Sequence, residues 1–196
     1  KRLVDVTCSS LALVVLSPIL LFCAAAVKIS DHKGPVIFKQ TRVGRNGKLF
    51  TMYKFRSMYV DAEERKKELM AQNETGGKTF KMKNDPRIYP CGHVLRKFSL
   101  DELPQLINII KGDMSIVGPR PPIPSEVAEY EPWHRMRLSV TPGLTCIWQV
   151  SGRSNISFEG QMRLDNDYIR RDGKLGDDFK LILKTFKVVF KGEGAY

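Results

Sequence analysis

Residues 8–27, CSSLALVVLSPILLFCAAAV, form a twenty-residue run without a charged side chain. That is about the length needed to span the hydrocarbon core of a bilayer, so the rest of the chain must be arranged around a segment that water does not favour. A secretory leader would also begin basic and continue apolar, but Asp5 interrupts the basic start and no clean cleavage signal surrounds Lys28. Ser17-Pro18 stands in the middle of the run. Proline removes a helical hydrogen bond and clashes with the preceding turn, which kinks a helix. The neighbouring serine hydroxyl can take up a carbonyl that the proline leaves free. Lys1 and Arg2 precede the run, and Lys28, Lys33 and Lys39 follow it. The charge asymmetry that normally orients a spanning helix is therefore absent. A straight span, and a helix that enters, bends at Pro18 and leaves on the same side, both satisfy these residues.

The second constraint is charge. Thirty-two Lys and Arg against twenty-one Asp and Glu leave a net charge of +11. A surface this basic faces an anion: nucleic acid, an acidic lipid surface or a phosphorylated substrate. Nucleic acid is not expected, because the basic residues lack the aromatic interleaving of a stacking surface and the uncharged run argues against it. Cys8, Cys23, Cys91 and Cys146 show neither a C-x-x-C pair nor zinc spacing and read as free thiols. His32, His93 and His134 are scattered, with no partner for histidine chemistry nearby in sequence.

Between the ends, the spacing predicts an α+β chain that is mainly helical. Asn46-Gly47 between VIFKQTRV and KLFTMYKF is a hairpin signal. Residues 61–72 read as an exposed helix of mixed charge, and 73–87 as a loop. A helix is expected from Leu100 to Ile110, stopped by Gly112, with two more at about 125–138 and 157–171. VGPRPP, 117–122, excludes both helix and central strand because its three prolines break each. In DDFKLILKTFKVVFKG, Phe179, Ile182, Leu183, Phe186, Val189 and Phe190 recur at helical spacing, with Lys180, Lys184, Lys187 and Lys191 on the other side. Such a helix either lies in a membrane interface or packs on a core with a solvated lysine face.

Basic residues gather in irregular stretches: Lys54 and Arg56 in YKFRSM, Arg96 beside Lys97, Arg120 in GPRP, and Arg153 in SGRSN. Arginine held in a rigid Gly-Pro frame suits bidentate phosphate contact. They flank SLDELPQL, 99–106, where Asp101 and Glu102 stand side by side. Ser99 and Glu102 have the spacing of a capping box, and Asp101 could serve as N-cap instead. The same geometry supports chemistry. Adjacent helical positions point about 100° apart, so one carboxylate can attack phosphorus while the other holds magnesium. Magnesium is commonly held by one or two carboxylates plus phosphate oxygens, and an aspartate nucleophile gives an acyl phosphate.

The stretches GPVIFKQTRVGRNGKLFTMYKFRSM, SLDELPQLINIIKGDMSIVGPRP and TPGLTCIWQVSGRS resemble the bacterial sugar transferases, the polyprenyl-phosphate hexose-1-phosphate transferases also called monotopic phosphoglycosyl transferases. The likeness runs from Lys1 to about Phe190. It implies a re-entrant membrane helix over 1–30 broken at Ser17-Pro18, and a catalytic domain over 31–196 on the cytoplasmic face of the bacterial inner membrane. It implies that Asp101 attacks the β-phosphate of a UDP-hexose, glucose or galactose foremost, and releases UMP. Polyprenyl phosphate then accepts the sugar phosphate, in the first membrane step of exopolysaccharide, capsule or O-antigen assembly. Glu102 becomes the ligand of magnesium, or of manganese in its place. Lys54, Arg56, Arg96, Arg120 and Arg153 become phosphate or substrate contacts, and Asp165 in RLDNDYI matches a position often acidic in the family. Expected partners are the UDP-sugar, the polyprenyl phosphate and membrane lipid. The rival reading is a non-catalytic basic scaffold on an anionic membrane surface.

Overall fold

A computed structural model of the chain describes residues 1–69, 82, 85–152, 155–171 and 175–191. The apolar run forms two helices, α1 (Arg2–Val15) and α2 (Ser17–Ser30), bent by 65° at Leu16. The bend has the cause the sequence suggests. Pro18 sits in the first turn of α2 and cannot donate to Val14, and the Ser17 hydroxyl donates to the Val14 carbonyl instead at 2.7 Å. Neither helix alone is long and apolar enough to cross a membrane; the bent pair together has the length and composition.

Both ends of this pair are fastened to the same body. Lys1 Nζ donates to Asp178 at 2.5 Å, Tyr168 at 2.8 Å and the Val117 carbonyl at 2.9 Å. Arg2 caps carbonyls of Ile109 and Ile110, and buried Asp5 accepts from the Ser115 hydroxyl and the Ile116 N–H. At the other end, Cys23 and Val27 pack with Phe55 and Leu95. The bend itself stays uncovered: Val14, Val15, Leu21 and Phe22 are each at least 65% exposed.

The hairpin follows as read. β1 (Ile37–Val43) and β2 (Leu49–Phe55) pair antiparallel from Ile37↔Phe55 to Val43↔Leu49. Asn46 (φ 57°) and Gly47 (φ 80°) take the left-handed conformation that those residue types tolerate. The expected exposed helix is α3 (Ala62–Leu69); most of the loop expected over 73–87 lies outside the described residues. Then come α4 (Pro90–Lys97), a 3₁₀ turn (Leu100–Glu102), α5 (Gln105–Lys111) and β3 (Ser115–Val117). The chain continues through α6 (Pro124–Ala128), a 3₁₀ turn (His134–Ser139), β4 (Gly143–Thr145), α7 (Ile147–Ser151), α8 (Phe158–Arg170) and α9 (Leu175–Lys191). All four cysteines are free thiols.

Two expected helices need correction. The helix over 100–110 does not start at a capping box: Ser99 is left-handed (φ 53°) and caps nothing, and Asp101 is not an N-cap. The dyad sits in its own 3₁₀ turn, and the α-helix begins only after Pro104. It ends at Gly112 (φ 94°), as read. The helix over 125–138 is broken near Pro132, whose missing N–H and steric demand on Glu131 stop α6 and leave a 3₁₀ turn beyond. The parallel pair β3–β4 was not read at all; it joins Ser115 to Gly143 and Val117 to Thr145.

The hairpin and α5 share the core that sets the site. Met52, Leu106, Ile109 and Met114 are buried together, each contributing about 1.5–3 kcal/mol by burial. Fully buried Asn108 joins the two elements through polar contacts. Its Oδ1 accepts from the Tyr53 N–H at 3.0 Å, and its Nδ2 donates to the Thr51 carbonyl at 2.7 Å. On α9, Leu181 packs with Val117 and Tyr168, and Thr185 bonds Thr145. Phe179, Leu183 and Phe186 form a second apolar stripe that remains more than half exposed. The helix therefore packs one face on the core, as one of its two sequence readings expects, and leaves a second apolar face uncovered.

Candidate active site

The 3₁₀ turn points Asp101 and Glu102 at β2 and at the loop after β3. Lys54 Nζ reaches Glu102 Oε1 at 2.7 Å, and Arg120 Nη1 reaches the same oxygen at 3.3 Å. Among the described residues, Glu102 Oε2 takes no protein partner, and the Asp101 carboxylate makes no hydrogen bond or ion pair, although Asp101 is only 8% exposed.

These settings push the two acids apart. Burial raises the Asp101 carboxyl to about 6, with neighbouring Glu102 adding to the rise and Lys54, Arg96 and Arg120 partly opposing it. Burial also acts to raise Glu102, but Lys54 and Arg120 outweigh it and hold that carboxyl down at about 2. Burial in turn lowers the Lys54 ammonium, which Glu102 partly restores. One carboxylate is thus a clamped anion and the other an unclamped, more basic one. That division fits separate metal-holding and attacking roles.

The sequence-derived site residues separate into two groups. Asp101, Glu102, Lys54 and Arg120 are in one cluster, and Arg96 at the end of α4 acts on Asp101 through its charge. Arg56 and Asp165, expected as substrate contacts, are instead enclosed in ion pairs of their own. Arg56 is 5% exposed, donates to the Pro35 carbonyl at 2.8 Å and pairs with Asp31. Asp165 is 1% exposed and pairs with Arg137 at 2.7 Å. Arg153 lies outside the described residues. The sequence reading missed Arg42. Its guanidinium donates to the Pro121 carbonyl at 2.8 Å, and burial together with Arg120 beside it lowers its pKa to about 10. The hairpin register contains the signal: Phe38 opposes Lys54 and Arg42 opposes Phe50, so Arg42 and Lys54 share one face.

Among the described residues, no three His, Cys, Asp or Glu side chains gather as a metal cage. The site does fit magnesium held in the sparser manner, because Glu102 Oε2 is open while Oε1 carries both cations.

The family model described as bacterial sugar transferase matches residues 1–192. The chain belongs to the bacterial sugar transferase family. Within that family it is 46% identical over its full length to the galactosyl transferase CpsE of Streptococcus agalactiae, covering 43% of that protein. It is 43% identical over its full length to the undecaprenyl-phosphate galactose phosphotransferase of Salmonella typhimurium, covering 41%. Against the exopolysaccharide production protein ExoY of Rhizobium meliloti it is 41% identical and covers 88%. This sugar transferase chain therefore spans about two fifths of the length of the first two relatives and most of the third.

Proposed function

We propose that the chain transfers a hexose 1-phosphate from a UDP-hexose to polyprenyl phosphate, undecaprenyl phosphate foremost, and releases UMP. The observation that carries this is the buried Asp101 carboxylate, free of protein partners among the described residues, beside a Glu102 gripped by Lys54 and Arg120. An Asp101 oxygen bonds to the β-phosphorus of the donor. The bond from that phosphorus to the oxygen bridging the two phosphates breaks, and UMP leaves with the electron pair. An oxygen of the polyprenyl phosphate then attacks the same phosphorus, the aspartyl–phosphorus bond breaks, and the carboxylate is regenerated.

Lys54 and Arg120 stand where they can meet charge on the transferring phosphoryl group. Glu102 would hold magnesium, or manganese, and the bound cation would neutralise phosphate charge and orient the oxygens. The desolvated setting of Asp101 keeps its carboxylate basic, which favours nucleophilic attack.

The acceptor is a lipid, so the site has to meet a membrane. The exposed apolar bend between α1 and α2, with both ends tied to one body, supports a re-entrant element that dips into one leaflet. The exposed Phe179, Leu183 and Phe186 stripe of α9 supports a second contact in the interface plane. This reading places the chain on the cytoplasmic face of the bacterial inner membrane, where it would serve exopolysaccharide, capsule or O-antigen assembly.

The test is a panel of UDP-glucose, UDP-galactose and N-acetylated UDP-sugars with undecaprenyl phosphate and magnesium, read by UMP release. The expected result is UMP formation with UDP-glucose or UDP-galactose. UMP from none of them, together with retained binding to anionic vesicles, would favour a basic membrane scaffold.

A further inference from the structure

The loop that presents Arg120 cannot hold itself. Pro119, Pro121 and Pro122 supply no N–H, so the segment has acceptors but almost no donors. Four successive carbonyls are instead gripped from outside. Pro119 O accepts from the Gly143 N–H at 2.9 Å and Pro122 O from the Val43 N–H at 2.9 Å. Between them, Arg120 O accepts from Arg137 Nη2 at 2.8 Å, and Pro121 O from Arg42 Nη1 at 2.8 Å. The glycines are required here: a Cβ on Gly143 would meet the Gly118 nitrogen at 2.0 Å.

Arg137 is the member of this set that holds the residue whose side chain reaches the dyad. It is 6% exposed and belongs to the 3₁₀ turn His134–Ser139. Asp165 on α8 balances its charge at 2.7 Å, and its Nη1 donates to the Tyr130 hydroxyl at 2.8 Å. The guanidinium therefore serves three groups at once, which a lysine ammonium on a flexible stem does not reproduce in the same fork geometry. It bonds Arg120 O and the Tyr130 hydroxyl, meets Met162 Sδ and pairs with Asp165, and none of these belongs to the dyad. Arg120 Nη1 meets Glu102 at 3.3 Å, near the limit for a hydrogen bond. A small shift of the Arg120 main chain would open that contact.

We propose that Arg137, set by Asp165 and Tyr130, is a positioning residue that fixes the Arg120 main chain so that the Arg120 guanidinium engages the Glu102 side of the phosphate site. This deepens the transferase reading and rests on it. The test is a double-mutant cycle on the full chain, with UMP release from radiolabelled UDP-hexose as the readout. Arg137→Lys is expected to lower kcat by about 10–100-fold, the scale of misplacing a catalytic group by about 1 Å. In the Arg120→Ala background the same substitution is expected to change the rate by less than about 3-fold, because the group it positions is gone. A residue that merely supports the fold would cost the same factor in both backgrounds. That additive result, or an Arg137→Lys variant with full kcat, overturns the proposal. If Arg137→Lys does not fold, Asp165→Asn, which keeps the shape and removes the counter-ion, is run through the same cycle with the same criterion. A wild-type chain that releases no UMP overturns the transferase reading itself, and that result is read before any variant.

Discussion

Replacing Asp101 with asparagine is expected to lower UMP release and lipid-product formation by at least about 10³-fold, since loss of a nucleophile removes the covalent route entirely. The amide is nearly the same size, so the turn Leu100–Glu102 and the Lys54 and Arg120 contacts to Glu102 should survive. Folding should not suffer. The folded chain holds the Asp101 carboxyl at about 6, above its ordinary 3.8. The sign follows: ionising it at neutral pH disfavours the folded state relative to the unfolded one, and asparagine removes that penalty. The variant should therefore melt at or above the wild-type temperature while turnover disappears. Loss of activity accompanied by a large drop in melting temperature would show that Asp101 is a structural group.

Asn108→Ala should have the opposite signature, with stability falling first. Asn108 is fully buried and replaces water for the Tyr53 N–H and the Thr51 carbonyl. Alanine takes the side-chain partner from both strand groups, which are part-buried, and opens a small void beside Met52 and Ile109, at a cost of about 3 kcal/mol. For a chain of 196 residues that is a fall in melting temperature of roughly 6–12 °C. Activity should fall as well, because Lys54 follows Tyr53 on β2 and loses its fixed distance to the dyad. Differential scanning calorimetry beside UMP release checks both effects. Unchanged melting would mean that the hairpin is held to α5 by apolar packing alone.

What the sequence made legible was chemistry that acts over a few residues. Ser17-Pro18 gave the bend because proline's missing N–H and the serine that compensates for it are neighbours. Asn46-Gly47 and Gly112 were legible because left-handed backbone has few possible occupants. The dyad stood out as a motif, yet its local structure did not. A left-handed Ser99 and a 3₁₀ turn replace the cap that the S-x-x-E spacing suggested, and Pro104 delays the helix. Features built from distant residues were not legible. Three-residue strands at 115 and 143 carry too little periodicity to be seen, although they carry the loop of Arg120. Arg56, Arg120, Arg137 and Asp165 look alike as charged residues in a sequence. Only burial and pairing distinguish Arg120, which turns toward Glu102, from Arg56 and Arg137, whose charges are enclosed by Asp31 and Asp165. Arg42 is the intermediate case, since the hairpin register puts it on the face of Lys54.

The central claim, that Asp101 itself takes the sugar-bearing phosphorus, is tested most directly by omitting the lipid acceptor. The full chain is mixed with magnesium and UDP-hexose alone, quenched in acid and mapped by peptide mass spectrometry. The account predicts a single burst of UMP, stoichiometric with the chain, and a hexose-phosphate adduct on the peptide carrying Asp101, absent in Asp101→Asn. UMP that appears only when polyprenyl phosphate is present, with no adduct on that peptide, would contradict it.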